Sequence, residues 1–267
     1  MRTHFRPRPL PEQVLVVTGA SSGMGLATAQ LAASRGARVM LSSHDAPALR
    51  EAERQLRLEG CDVAAEAADV TDLAALERLA RATVARWGRI DTWFNNAGTH
   101  VFGETMDVPL EDMRRIFEVN YWGMVMGARV AVPYLSRQGG MLLNMSSVLA
   151  ARAVPLQGIY AASKHAIDAW TDALRMELER KRVPIVVTNI KPAAIHTPIV
   201  RHSLNLTGHR AQLPAPMYDT RVAARAIVAA METVRRDLII GGVGKLAQLS
   251  EKLAPALTDE VMVRLFY

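Results

Sequence analysis

Short apolar runs and amphipathic stretches of helical length alternate along the whole chain. The runs are VLVVT, ARVMLS, DVAAEAAD, IDTWFNN, GMLLNMSS, IVVTNIKP and DLIIGG. Between them lie segments such as GLATAQLAASRG, APALREAERQLRLEG and DLAALERLARATVARWG, in which apolar residues return every three or four positions. This is the pattern of repeated strand–helix–strand units. The runs are continuously apolar rather than alternating, which predicts strands buried on both faces and a sheet covered by helices on either side. The expected fold class is therefore α/β, a doubly wound parallel sheet of about seven strands whose ligands lie at the carboxyl ends of the strands. Gly36, Gly60 and Gly88 stand where the first three helices should stop, each suited to a left-handed C-terminal cap. Neither a repeat nor a linker divides the chain. Residues 13–267 are read as one domain, preceded by an extended tail over residues 1–12.

The first chemical signal is the turn after the first strand, VVTGASSGMG. Gly19, Gly23 and Gly25 open a helix there, so backbone N–H groups and the helix dipole can meet a pyrophosphate at close range. A tight connection alone would also use glycines. The place directly after the first strand, with Ser21, Ser22 and Met24 inside the turn, favours a nucleotide. The second strand ends LSSHD, which places Ser42, Ser43 and His44 around a ribose, with Asp45 one or two positions late. A carboxylate at that spot would bond a ribose 2′-hydroxyl and repel a 2′-phosphate. Hydroxyls and a chargeable histidine suit the phosphate better, so NADP(H) is favoured over NAD(H), with His44 as a plain exposed turn residue the alternative.

Tyr160 and Lys164 stand four residues apart in GIYAASKHAIDAW, on one face of an expected helix. A hydride reaching a ketone carbon leaves negative charge on the oxygen, which then needs a nearby proton donor. Free tyrosine titrates near 10, and an adjacent ammonium is expected to lower it; a depression of about 3 units requires about 4 kcal/mol. A surface tyrosine stacked on a lysine stem is the bland alternative. Three features add weight to the chemical one. NNAG, with Asn96, Ala97 and Gly98, follows the fourth strand; NMSS ends the fifth and presents Ser147 ahead of Tyr160; and Asn120 sits in FEVNYWG, an amide within an apolar helix.

TGASSGMG, NNAG, EVNYWG, NMSS, YAASK and KPAAIHT, in this order and spacing, make the chain resemble the short-chain dehydrogenase/reductase family over nearly its whole length. The resemblance implies a Rossmann-like fold and an oxidoreductase acting on ketones or secondary alcohols. It implies that Tyr160 is the acid/base, that Lys164 holds the nicotinamide ribose, that Ser147 orients the substrate carbonyl and that Asn120 supports a proton-relay water. Asp69 and Val70 would contact adenine, and Pro192, Ile195 and Thr197 would lie by the nicotinamide. Ser146 is the lesser candidate serine. One departure is Ala193, where the family reads glycine.

The substrate side is expected in THVFGET, in VLAARAVPLQG, and in a long connection over residues 193–219 that reads as a lid. Phe102, Leu149, Pro155 and Leu156 point to an apolar ketone or alcohol, while Arg152 offers an acid-binding alternative. A non-catalytic NADP-binding protein on the same fold is the other reading, and an intact Ser147–Tyr160–Lys164 set speaks against it.

Composition changes little. The formal charge is +6, but the arginines are scattered without a basic block or aromatic interleaving, which disfavours nucleic acid. The single cysteine, Cys61, excludes an internal disulfide framework and fits a cytoplasmic setting. No apolar run is long enough to span a membrane, and no metal-ligand pattern stands out. Apolar residues on several helix faces, among them Trp122, Met124, Met126 and Trp170, lead us to expect a homodimer or homotetramer; a monomer covered by the C-terminal segment is the alternative.

Overall fold

The computed structural model describes residues 5–211, 213, 216–242 and 255–266. Within them the strands are β1 (Val14–Thr18), β2 (Arg38–Ser43), β3 (Val63–Ala67), β4 (Thr92–Asn95), β5 (Val101–Phe102), β6 (Gly140–Met145), β7 (Ile185–Pro192), β8 (Leu204–Asn205) and β9 (Asp237–Ile240). Seven form one sheet in the order β3-β2-β1-β4-β6-β7-β9, with every pairing parallel. The two-residue strands β5 and β8 pair apart from it. The helices are α1 (Gly23–Ser34), α2 (Ala46–Leu58), α3 (Leu73–Trp87), α4 (Leu110–Phe117), α5 (Gly123–Leu135), α6 (Gly158–Arg180), α7 (Ile199–His202), α8 (Thr220–Ala230) and α9 (Pro255–Phe266).

The continuous apolar runs are explained by burial on both faces. Leu15, Val17, Phe94, Leu143 and Ile190 enter one layer, closed by α1, α2 and α8; Val16, Trp93, Leu142 and Val187 enter the other, closed by α3, α5 and α6. Strand order reverses between β1 and β4, because the chain runs outward through β2 and β3 before returning to β1's other side. That reversal opens a crevice at the carboxyl ends of the strands, between the glycine turn and NNAG.

Local chemistry sets the element ends. The Asp45 carboxylate accepts from the Ala48 N–H at 3.1 Å and caps α2, and Asp72 does the same for α3 through Ala74 at 2.9 Å. Gly88 closes α3 in the left-handed region, φ 77°. Between α4 and α5 the chain makes one π-helical turn, Glu118–Trp122, which carries Asn120 inward.

Two features depart from the expectations. The segment read as an extended tail is packed from Phe5 onward: Phe5 lies against the first core layer, Leu10 is buried, and the Leu10 N–H donates to Glu232 at 2.8 Å. And Met124, expected on an outer face, is buried inside the chain, while Met126 and Trp170 are half-buried and Trp122 is exposed.

Candidate active site

The glycine turn, the end of β2, the end of β3, NNAG and the first turns of α6 converge on one cleft of about 690 Å³. It takes in Gly19, Ser21, Ser22, Gly23, Met24 and Gly25 from the first turn, and Ser43, His44 and Asp45 from the end of β2. Asp69 and Val70 enter after β3; Asn96, Ala97 and Gly98 after β4; Tyr160 and Lys164 from α6; Pro192 at the end of β7; and Thr197 beyond it. The turn is shaped for close backbone approach. A Cβ on Gly25 would stand 2.3 Å from the Gly19 oxygen and 2.4 Å from Asn96 Nδ2. Asn96 ties this turn down by donating to the carbonyls of Thr18 at 2.8 Å and Gly19 at 3.2 Å. The cradle, the open N-terminus of α1 and the cleft's volume fit a dinucleotide.

Where β2 meets the cleft, Ser43 Oγ lies 2.9 Å from Ser21 Oγ, and His44 is exposed on the rim. Asp45 lines the cleft but spends its carboxylate as the α2 cap. Asp69 accepts from both the N–H and the hydroxyl of Thr71. Partial burial pushes its carboxyl up, and the Thr71 bonds, with Arg115 and His44 beside it, more than offset this, so the group lies below its ordinary value. Arg115, 3.6 Å from Asp69, also lines the cleft; no sequence pattern marks it, since it reaches the site through the packing of α4. Ile195 departs from expectation. It is not among the lining residues, because its side chain is buried in the first core layer and its backbone bridges to Tyr218.

Toward the centre, Tyr160 stands on the first turn of α6 with Ser147 as its side-chain hydrogen-bond partner. Burial pushes the phenol up to about 12, and the Ser147 bond works in the other direction. The depression expected from Lys164 is therefore not produced by the protein's own residues: the Lys164 Nζ lies 5.4 Å from the centre of the tyrosine ring and donates to the Met145 carbonyl at 2.9 Å. Lys164 is itself pushed down to about 8 by burial, with Asp168 pulling it back up. Ser146, the lesser candidate, donates to Asp168 at 2.6 Å. Asn120 accepts from the Thr99 N–H at 2.8 Å and donates to the Thr99 carbonyl at 3.0 Å and to Ser163 at 3.2 Å, holding the strand after NNAG against α6.

A buried polar ladder under the cleft was not legible in the chain. Trp93 Nε1 donates to Asn95 Oδ1, Asn95 Nδ2 to Asn144 Oδ1, and Asn144 Nδ2 to Thr171 Oγ1, at 2.7, 2.9 and 3.0 Å. It links β4 and β6 to α6 and so to Tyr160. Gly127 makes room for it; a Cβ there would fall 2.1 Å from Asn95 Oδ1.

Beside the tyrosine, the His100 ring sits 4.2 Å from both Phe102 and Tyr160, and Nε2 meets Gln157 Oε1 at 2.9 Å. Burial pushes His100 down to about 4, so it is neutral. Leu156 adopts a left-handed backbone, φ 64°, next to the tyrosine's helix, a strain of the kind that gathers at functional sites. Arg152, the acid-binding alternative, has a side chain only 13 % exposed that pairs with Asp259 of α9. The long connection is pinned at its base by Ile195–Tyr218 and tied back by β8 against β5. Ala193 donates its N–H to Ile240 at 2.8 Å, and its methyl faces Gly241.

Residues 13–205 match the short chain dehydrogenase family. The chain belongs to that family. It is an oxidoreductase of the short-chain dehydrogenase type, acting on alcohol and ketone groups. This short-chain dehydrogenase is 38 % identical over 270 residues to the oxidoreductase YxnA of Bacillus subtilis, covering all of this chain and 76 % of that protein. It is 39 % identical over 196 residues to the 1-deoxy-11-beta-hydroxypentalenate dehydrogenase of Streptomyces exfoliatus, covering 72 % and 70 %. A Burkholderia phymatum short-chain dehydrogenase/reductase solved with NAD superposes with a TM-score of 0.80 at 27 % identity, covering 90 % of this chain and 94 % of that one. Actinorhodin polyketide ketoreductase solved with NADPH superposes at 0.78 with 26 % identity, covering 88 % and 98 %. Among the described residues of this short-chain dehydrogenase no group of three or more metal-ligating side chains occurs, and no helix is long and apolar enough to cross a membrane.

Proposed function

We propose that this enzyme interconverts an apolar ketone and its secondary alcohol with NADP(H), Tyr160 serving as the acid/base. A bound nicotinamide supplies or accepts the hydride. Tyr160 does the rest of the proton work: its phenol, protonated at neutral pH, gives its proton to the substrate oxygen as charge develops there. Ser147, bonded to the same phenol, directs the carbonyl toward it. Lys164 brings a positive charge to the ring from below, and Asn120 keeps the wall between α6 and NNAG in place. The observation that carries this reading is Tyr160, half-buried, in one cleft with Lys164 and the glycine cradle, with the buried Ser147 beside its phenol.

Two details support the finer points. Strand β2 itself ends in Ser42 and Ser43 rather than in a carboxylate, and His44 is exposed at the rim; both favour a 2′-phosphate. The tyrosine ring meets a neutral His100, itself packed on Phe102 and bonded to Gln157, and Arg152 is already paired, which favours an uncharged substrate. The test is a panel of neutral and carboxylated ketones and alcohols followed by nicotinamide absorbance, with both cofactors, on wild type and Tyr160→Phe. Turnover of neutral ketones with NADPH that disappears in the variant is expected; undiminished turnover in Tyr160→Phe would remove the assignment. We propose in addition a cytoplasmic homodimer or homotetramer resting on α5 with the turn before it and on α6, where Trp122 and Met176 are exposed.

A further inference from the structure

Lys164 reaches the cleft through a cluster of titratable and charged groups. On α6 itself, Tyr160 and Asp168 lie one turn before and one turn after it, on the same stripe. His100, from the segment after NNAG, stacks on the tyrosine ring; Lys191 comes from β7 and Asp237 from β9. Asp168 is the pivot. Its side chain is only 19 % exposed; one carboxylate oxygen accepts from Ser146 Oγ at 2.6 Å and the other lies 2.7 Å from Lys191 Nζ. Lys191 is held in turn at 3.0 Å by Asp237. Both oxygens of Asp168 therefore have fixed partners, and the carboxylate cannot swing out to solvent. A buried ammonium is disfavoured by lost hydration, so a fixed negative charge one turn away decides how readily Lys164 keeps its proton.

We infer that Asp168, clamped by Lys191 and Ser146, is a positioning residue that supplies the countercharge holding Lys164 as an ammonium beside Tyr160. Its consequence for turnover rests on the hydride-transfer reading above; the charge state of Lys164 is a property of the protein alone. Ser146 gains a role that is not that of the substrate-facing serine. Lys191 and Lys164 share one carboxylate, so neutralising Lys191 leaves Asp168 wholly to Lys164, whereas neutralising Asp168 leaves Lys164 without its countercharge. The two changes act in opposite directions. A purely structural role for the clamp would give no such opposition.

Lys164, Lys181, Lys191, Lys245 and Lys252 are the only lysines, so NMR of cofactor-free protein labelled with ¹³Cε-lysine gives a short list of titrating signals. Lys164→Arg identifies the one required. Its midpoint near 8 should fall by about one pH unit in Asp168→Asn, which keeps the Ser146 bond but removes the charge, and should rise in Lys191→Met. Midpoints that stay put, or that move the same way in both variants, overturn the inference. If Asp168→Asn does not fold, the upward shift required of Lys191→Met decides alone. The alkaline limb of kcat/KM is then measured. If it follows the NMR midpoints, both readings are supported; if the midpoints move as expected and the limb does not, Asp168's control of Lys164 stands and the role of Lys164 in turnover fails.

Discussion

Gly25→Ala tests the cofactor cradle without touching Tyr160, Ser147 or Lys164. The added methyl would lie 2.3 Å from the Gly19 oxygen and 2.4 Å from Asn96 Nδ2, so both must open, by about 0.7 and 0.6 Å, merely to reach the 3.0 Å floor of real contacts. Neither is the loose end of a flexible side chain. The Gly19 oxygen is backbone, and Asn96 is tied to the Thr18 and Gly19 carbonyls. Overpacking of this kind costs about 1–3 kcal/mol, and losing one Asn96 bond adds about 1 kcal/mol. The sum, about 2–4 kcal/mol, lowers the Tm of a chain this size by roughly 5–15 °C. The same displacement moves the N–H groups that would face the pyrophosphate, and we expect NADPH affinity to fall by at least about tenfold, since shifts approaching 1 Å at positioning groups carry losses of that order and more. The assays are a thermal melt and a fluorescence titration with NADPH, alongside Gly60→Ala, whose Cβ meets nothing within 4 Å and whose only penalty is its φ of 81°. Wild-type melting and affinity in Gly25→Ala would refute the close-approach argument.

Tyr160→Phe should lower kcat for ketone reduction by about 10²–10⁴ while the Kd for NADPH, from the same titration, changes little. Asn120→Ala removes three hydrogen bonds and should destabilise by about 2–3 kcal/mol in urea melts, with reduced turnover even where folded. His100 gives a pH signature. Folded His100 takes a proton only near 4, against 6.5 when unfolded, so the unfolded chain binds more protons in between. Its contribution is whole above pH 6.5 and is lost as pH falls toward 4, about 3 kcal/mol in all; urea melts across that window should show the slope, and His100→Phe should flatten it. His44→Asp should shift preference from NADPH toward NADH by repelling a 2′-phosphate, read as the ratio of kcat/KM values; an unmoved ratio would show that the rim of β2 does not meet the ribose.

Much of this was legible in the chain because period and punctuation are local properties. The continuous apolar runs require strands covered on both sides, and Gly88 marks a helix end, because both follow from backbone geometry and from which side chains must leave water. The order of TGASSGMG, NNAG, NMSS and YAASK likewise identified the cleft's parts, and Tyr160 with Lys164 share a face because four residues make one helical turn. What spacing could not convey was environment. The direction in which the phenol is perturbed depends on burial, which outweighs the Ser147 hydroxyl, while the lysine's nitrogen is turned toward the Met145 carbonyl. Ile195 falls in the core rather than the cleft because the Tyr218 bridge sets its side. The Trp93–Asn95–Asn144–Thr171 ladder, the Arg152–Asp259 pair and the Asp168–Lys191 clamp join residues up to 107 positions apart. The sequence by itself determined the layered α/β fold and which residue types gather along the cleft, since these depend on hydrophobic period and backbone freedom. Only the tertiary structure decided which charges are paired, which are buried and which face one another, because those depend on distances through space that no linear spacing encodes.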